Sequence, residues 1–130
     1  MKRLVLFPAI LLAVIGSAVA EENYFAKAAE AQEDGRICVR LYAKEFHKYA
    51  SIQELQEGAL YTCGSYIESY GMGLELSMSS DKKRSYTQEQ KDQVVNKWKS
   101  VMEKELRLIV ADTTIRLKAP QKANGPAAKP

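Results

Sequence analysis

Residues 38–63 decide the fold, and they read CVRLYAKEFHKYASIQELQEGALYTC. In the first half, apolar and aromatic residues recur every three to four positions, which is the spacing of one helix face. This row consists of Cys38, Leu41, Tyr42, Phe46 and Tyr49, with Glu45 at its edge. Ser51 then opens a second helix through a capping box, in which its hydroxyl and the Glu54 carboxylate each accept a backbone N–H. The stretch therefore predicts two helices joined by a tight turn at residues 50–51.

The two cysteines lie at equal distances from this turn. Cys38 is 12 residues before Ala50, and Cys63 is 12 residues after Ser51. Both helices of an antiparallel hairpin rise ~1.5 Å per residue, so the two cysteines reach the same height on facing sides. We therefore predict a Cys38–Cys63 disulfide in an oxidising compartment. A redox-active thiol is the alternative, but it would require a C-x-x-C motif or an electropositive pocket.

Helical spacing continues on both sides of the hairpin. The predicted packing face of the second helix is Ile52, Leu55, Ala59, Cys63, Tyr66, Ile67, Tyr70 and Leu74. A second capping box at Thr87 and Gln90 opens a third helix. Its predicted face is Val94, Trp98, Val101, Met102 and Ile109, with Glu105 at the edge. Residues 22–33 predict a weaker helix that ends near Gly35. The expected fold is all-α: a small bundle made of a disulfide-stapled hairpin, a third long helix and this short N-terminal one.

The first 20 residues predict a cleavable signal peptide. They begin with Lys2 and Arg3, continue with an apolar run over residues 4–15, and end in the small-x-small site of residues 18–20. The apolar run is shorter than the ~20 residues that span a bilayer, although a retained anchor is the alternative. We expect a periplasmic protein that begins at Glu21 and has no membrane contact after cleavage.

The C-terminal residues predict a tail rather than a fold. We assign residues 21–115 to one helical domain and residues 116–130 to a disordered, basic, Pro/Ala-rich tail, because Ala and Pro are the only apolar side chains in residues 119–130. The chain has 19 basic and 16 acidic side chains. Several basic ones lie in the signal peptide and the tail, so the predicted domain is net acidic. This charge distribution argues against nucleic acid as a partner.

Catalytic and metal-binding patterns are absent from the sequence. The chain has one histidine, His47, and its two cysteines lack the spacing of a metal site. No nucleophile-elbow, zinc-protease, phosphate-loop or calcium-loop motif is present. Acidic pairs such as Glu103 and Glu105 are more typical of a solvated helix face than of a catalytic dyad. We therefore expect a non-enzyme without catalytic residues, metal or cofactor.

The second helix carries two further stripes. Small residues recur at Gly58, Thr62, Ser65, Ser69 and Gly73. They predict close packing, either against a helix of the same chain or against a second subunit or partner. An acidic stripe lies beside them and consists of Glu54, Glu57, Tyr61, Glu68 and Glu75. We predict that a basic protein partner binds at Glu57, Tyr61 and Glu68, with Tyr61 as the anchor. A merely solvated surface is the alternative, and the basic loop at residues 82–84 is the next candidate.

Residues 63–69, CGSYIES, resemble the C-x-G-Y-I-x-G segment of small periplasmic immunity proteins that protect bacteria from type VI secretion amidase effectors. Cys63, Tyr66 and Ile67 match this segment, while Ser65 and Ser69 replace its glycines. The resemblance implies an inhibitor that binds and blocks a secreted cell-wall hydrolase, as a homodimer. It does not extend to the C-terminal half, where that family often has further cysteines and this chain has none.

A second likeness concerns periplasmic acid-stress chaperones. These proteins are also exported, helical and stapled by one disulfide, and their C-terminal helix is similar to the segment Lys97-Trp98-Lys99 followed by Lys104. Their cysteines lie further apart than those of this chain. The sequence thus favours a periplasmic immunity or inhibitor protein, with an acid-stress chaperone or an envelope-assembly accessory protein as the alternative.

Overall fold

The computed structural model describes residues 23–120. Three helices fill this range: α1 (Tyr24–Phe46), α2 (Ile52–Ser79) and α3 (Gln88–Lys118). All three pack against one another, and residues 23–120 contain no strand. The all-α bundle with a hairpin and a third long helix is therefore confirmed. The predicted signal peptide and residues 121–130 of the predicted tail lie outside the described residues.

Each helix begins at a side-chain cap. The Asn23 side chain accepts the backbone N–H of Ala26 at 3.1 Å. The two predicted capping boxes are both present, one formed by Ser51 with Glu54 and the other by Thr87 with Gln90. Because these caps use local sequence, they fix the starts of α2 and α3 independently of tertiary packing.

The predicted disulfide is confirmed and links the middle of α1 to the middle of α2. The Cα atoms of Cys38 and Cys63 lie 6.0 Å apart, and their sulfur atoms are bonded. Around it, buried residues of all three helices form one core. They are Ala28, Ala31, Val39, Ala43, Leu55, Ala59, Cys63, Tyr70, Met102, Leu106 and Val110. The predicted face of α2 is thus the one that packs inward.

The predicted helix end near Gly35 is wrong, because α1 runs without interruption from residue 24 to residue 46. Gly35 is buried where the three helices meet. A Cβ at this position would lie 2.8 Å from Met102 Cε and 3.3 Å from Tyr66 Cβ. Glycine therefore permits close packing here, and the packing offsets the ~1 kcal/mol by which glycine disfavours a helix.

The predicted face of α3 is partly wrong. Met102 is buried as expected, but Val94, Trp98 and Val101 are exposed. The buried side of the helix is instead formed by Met102, Leu106, Val110 and Thr114. The sequence of α3 holds two apolar stripes, and only contact with α1 and α2 selects one of them.

The end of α3 also differs from the prediction. The helix continues to Lys118, beyond the predicted domain end at residue 115. Arg116 Nε lies 3.0 Å from Asp112 Oδ2, one turn earlier. This pair and the cations of the last turn favour the helical state near its C-terminus. Residues 116–118 therefore belong to the folded domain.

An arginine fastens α1 to α3 beside the core. Arg36 donates from Nε to Glu105 Oε1 at 2.9 Å and from Nη2 to Glu105 Oε2 at 3.1 Å. Its Nη1 also donates to Glu33 Oε2 at 3.1 Å. The hydrogen bonds that Arg36 donates to Glu105 and Glu33 raise the pKa of Arg36 above its usual range. The two-pronged geometry fixes the axial position of α1 against α3.

Candidate functional site

The three residues predicted to bind a partner lie on one side of α2. Glu57, Tyr61 and Glu68 are four and seven residues apart, so they form one stripe along the helix. All three line a single open groove of about 910 Å³ between α2 and α3. The structure therefore brings the predicted residues together in one concave surface.

Tyr61 is the aromatic residue that lines this groove. Its side chain is 92% exposed, although tyrosine buries much of its ring in most folded positions. The neighbouring Gly64 also lines the groove, and no atom lies within 4 Å of the position that a Cβ would occupy there. An exposed aromatic ring thus lies beside an open part of the groove, and the disulfide-bonded Cys63 is two residues further along the same helix.

The two carboxylates of the predicted site are paired with cations of α3. Arg107 Nη1 lies 2.7 Å from Glu57 Oε1, and Lys99 Nζ lies 2.9 Å from Glu68 Oε1. Arg107 Nη2 also lies 3.3 Å from Glu103 Oε1. The hydrogen bond that Arg107 donates to Glu57 is the main cause that raises the pKa of Arg107. The sequence suggested free carboxylates, but the groove is lined by ion pairs.

These pairs determine the electrostatics of the groove. Its lining contains three carboxylates and two cations, so its net charge is small and negative. The remaining acidic residues of the stripe have other partners. The Glu54 carboxylate accepts the N–H of Ser51 within the helix cap. The Glu75 carboxylate accepts from Gln88 Nε2 at 3.1 Å. The groove therefore offers alternating charges rather than one negative field.

The α3 side of the groove was missed by sequence reasoning. It consists of Asn96, Lys99, Ser100, Glu103 and Arg107. These residues recur every three to four positions, which marks a polar helix face. Their spacing alone does not show that this face lies against the acidic stripe of α2. That relation depends on how α3 is rotated in the bundle.

The small-residue stripe of α2 serves packing within the chain at its two ends. A Cβ at Gly73 would lie 2.9 Å from Ala28 Cβ and 3.1 Å from the Ala28 backbone. A Cβ at Gly58 would collide with the Tyr42 hydroxyl. Both glycines therefore permit close approach of α1, which is the within-chain alternative. The three polar members between them, Thr62, Ser65 and Ser69, are exposed.

The other candidate residues lie away from the groove. His47 follows the last residue of α1, with Nδ1 3.0 Å from the Lys44 carbonyl oxygen. In the loop after α2, the Lys83 N–H donates to Asp81 Oδ1 at 2.9 Å and Arg84 lies over the Tyr86 ring. Within residues 23–120, no three His, Cys, Asp or Glu side chains cluster as metal ligands. None of the three described helices has an apolar stretch long enough to cross a membrane.

The chain matches no protein-family model, no curated protein and no solved structure.

Proposed function

We propose that this chain is an exported binding protein that inhibits a secreted cell-wall hydrolase, in the manner of an immunity protein, and that it acts by binding rather than by catalysis. The disulfide is consistent with folding outside the cytoplasm, where such bonds persist. The inhibitory contact is assigned to the groove between α2 and α3.

The exposed ring of Tyr61 is the observation that carries this proposal. Tyrosine is among the residues that contribute most to protein–protein affinity, because it buries a large area at low cost in side-chain entropy. Tyr61 stands at 92% exposure on a rigid helix, next to the open floor at Gly64. A protruding partner loop can enter this groove and cover the ring on one side.

The small net negative charge of the groove favours a basic partner over an acidic one. Glu57 and Glu68 are both largely exposed, and each is held by one cation of α3. An incoming lysine or arginine competes with Arg107 and Lys99 for these carboxylates. Such exchange contributes mainly to the rate of association and weakens with salt.

The test begins with the gene neighbourhood, where we expect a gene for a secreted hydrolase beside this one. The product of that gene is purified and assayed on isolated peptidoglycan. The mature protein should inhibit hydrolysis stoichiometrically. Tyr61→Ala should weaken inhibition at least tenfold, since loss of an aromatic anchor costs roughly 2 kcal/mol or more. Gly64→Leu should do the same by filling the floor, since no atom lies within 4 Å of the position that its Cβ would occupy.

Tyr49→Ala is the matched control, because Tyr49 is 80% exposed but lies in the α1–α2 turn, away from the groove. It should inhibit like the unaltered protein. If both Tyr61→Ala and Gly64→Leu still inhibit fully, the groove is not the inhibitory contact. Absence of a secreted hydrolase gene beside this one would contradict the immunity role itself.

An acid-stress chaperone is the second candidate, and the ion pairs between helices favour it. Arg36–Glu105, Arg107–Glu57 and Lys99–Glu68 all connect α3 to the hairpin. Loss of these three ion pairs would loosen α3 and expose apolar core. Light scattering and binding of a hydrophobic dye across the acid range test this role. A protein with unchanged size and dye binding at pH 3 is not an acid-activated chaperone.

A further inference from the structure

A second apolar stripe runs along the solvent-facing side of α3. Its residues are spaced alternately four and three positions apart, and they are Val94, Trp98, Val101, Glu105, Leu108, Asp112 and Ile115. The five apolar members are between 36% and 69% exposed. An alternating spacing of four and three is the pattern of a coiled-coil seam, in which one helix packs along another.

The core of the bundle does not include this stripe, and Glu105 contacts α1 only at its edge, through Arg36. The opposite side of α3 supplies the core through Met102, Leu106 and Val110, all fully buried. At the start of α3, Phe25 of α1 joins Val94 and Trp98 around an open pocket of about 640 Å³. The α3 residues of the groove described above occupy other positions of the repeat. The stripe is thus a separate surface of the same helix.

The two carboxylates within the stripe are already paired. Glu105 is held by the two-pronged contact from Arg36, and Asp112 lies 3.0 Å from Arg116. Polar residues at single seam positions are tolerated in coiled coils, where they fix register and orientation. A lipid surface is less compatible with them, because carboxylates are costly in an apolar layer.

Basic side chains flank the stripe on both sides. On α3, Lys97 and Lys104 lie beside Trp98 and Leu108, and Lys97 Nζ is 5.7 Å from the centre of the Trp98 ring. On α1, Arg40 and Lys44 follow Arg36 at intervals of four residues, on the side of the helix that faces α3. None of these four flanking cations forms an ion pair with a described residue. Their charges face solvent on either side of an apolar seam.

We propose that this stripe binds an acidic amphipathic helix of another protein. Apolar residues of the partner would pack between Trp98 and Leu108, and its flanking carboxylates would meet the basic side chains. A second copy of this chain fits poorly. Any two-fold pairing of the stripe with itself, parallel or antiparallel, brings one basic flank against another, and like charges at these positions oppose association.

Trp98 makes the test direct, because it is the only tryptophan of the chain and lies within the stripe. The probe is a synthetic helix of four heptads with an Ile/Leu seam, glutamate on both flanks and no aromatic residue. Its addition should shift the Trp98 emission to shorter wavelength with a saturable curve. Binding should weaken with added salt, and the same peptide with lysine flanks should bind at least tenfold more weakly.

Two variants locate the contact. Leu108→Asp should weaken binding about tenfold or more, because it removes an apolar seam residue and adds a like charge. Leu41→Asp is the matched control: Leu41 is 58% exposed on another side of α1 and should leave binding unchanged. The double variant Lys97→Glu with Lys104→Glu should lose most of the preference for the glutamate-flanked peptide, because only Arg40 and Lys44 then remain as flanking cations. Retained helicity in circular dichroism separates this loss of charge recognition from an effect on folding.

Several results would overturn the proposal. If the glutamate-flanked peptide does not bind, or if both peptides bind equally well, the proposal of an acidic partner helix is wrong. A concentration-dependent dimer that Leu108→Asp abolishes would assign the stripe to self-association. A Trp98 shift with anionic lipid vesicles but not with the peptide would assign it to a membrane surface. Tyr61→Ala should leave peptide binding unchanged, so the proposals for the stripe and for the groove are tested independently.

Discussion

Removal of the Cys38–Cys63 bond gives the most quantitative test of the fold. The bond closes a loop with a sequence separation of 25. Its closure reduces the entropy of the unfolded chain, and for this length the chain-entropy relation gives about 3.5 kcal/mol at 25 °C. Truncation of the fully buried Cys63 also removes core contacts. We therefore expect Cys63→Ala to lower the free energy of unfolding by roughly 2–5 kcal/mol.

Urea unfolding followed by far-ultraviolet circular dichroism measures this effect. The double variant with Cys38→Ala should be about as unstable as either single variant, because both substitutions remove the same bond. The slope of stability against urea should increase, since an unfolded chain without the loop exposes more surface. Reduction of the unaltered protein should add the mass of two hydrogens.

Additive effects of the two single substitutions would refute this reasoning, because they would show that the cysteines act independently. A double variant with unchanged stability would also refute it. In that case the hairpin would be held by packing alone, and the closed loop would contribute nothing measurable.

Three other perturbations follow from the structure. Gly64→Ala should stabilise the protein by up to about 1 kcal/mol in thermal unfolding, since its new methyl group has no neighbour within 4 Å. Gly73→Ala on the same helix should instead destabilise the protein, because its methyl group would lie too close to Ala28 of α1. Equal effects would contradict this difference. Thr114→Val should raise the melting temperature, because the Thr114 hydroxyl is buried without a hydrogen-bond partner among the described residues. An unsatisfied buried hydroxyl lowers stability by about 1–3 kcal/mol. A lower melting temperature would contradict this and show that the hydroxyl has a partner. The hydrogen bond from the Ser51 N–H lowers the pKa of Glu54. This cap should therefore stabilise α2 fully at pH values above the usual titration range of glutamate. Its contribution should be lost as the pH falls through the lowered pKa. Glu54→Gln should flatten that part of the pH–stability curve, and an unaltered curve would contradict the role of the cap.

The helix starts and the disulfide could be predicted because their signals are local. Ser51 and Thr87 define their helices through residues three positions away. The equal offsets of Cys38 and Cys63 need only the rise of a helix. The hairpin therefore follows from short-range geometry, and the structure confirms it.

The remaining features depend on contacts between distant segments. Gly35 looks like a helix end in sequence, and only the proximity of Met102 shows why the helix continues. The two apolar stripes of α3 have similar composition, so the sequence does not show which one is buried. The ion pairs of Glu57 and Glu68 likewise depend on the rotation of α3, which carries both of their partners.

The position of the disulfide divides the bundle into unequal cooperative units. The bond keeps α1 and α2 together during any local opening, whereas α3 is joined to them covalently only through the loop after Ser79. Beyond fraying of the helix ends, we therefore expect detachment of α3 from an intact hairpin to cost less free energy than separation of α1 from α2. Backbone amides of α3 should exchange with solvent sooner than those of α1 and α2 near the bond. Because α3 lines the groove beside α2 and also carries the exposed stripe, a partner bound at either surface should slow this exchange along the whole helix.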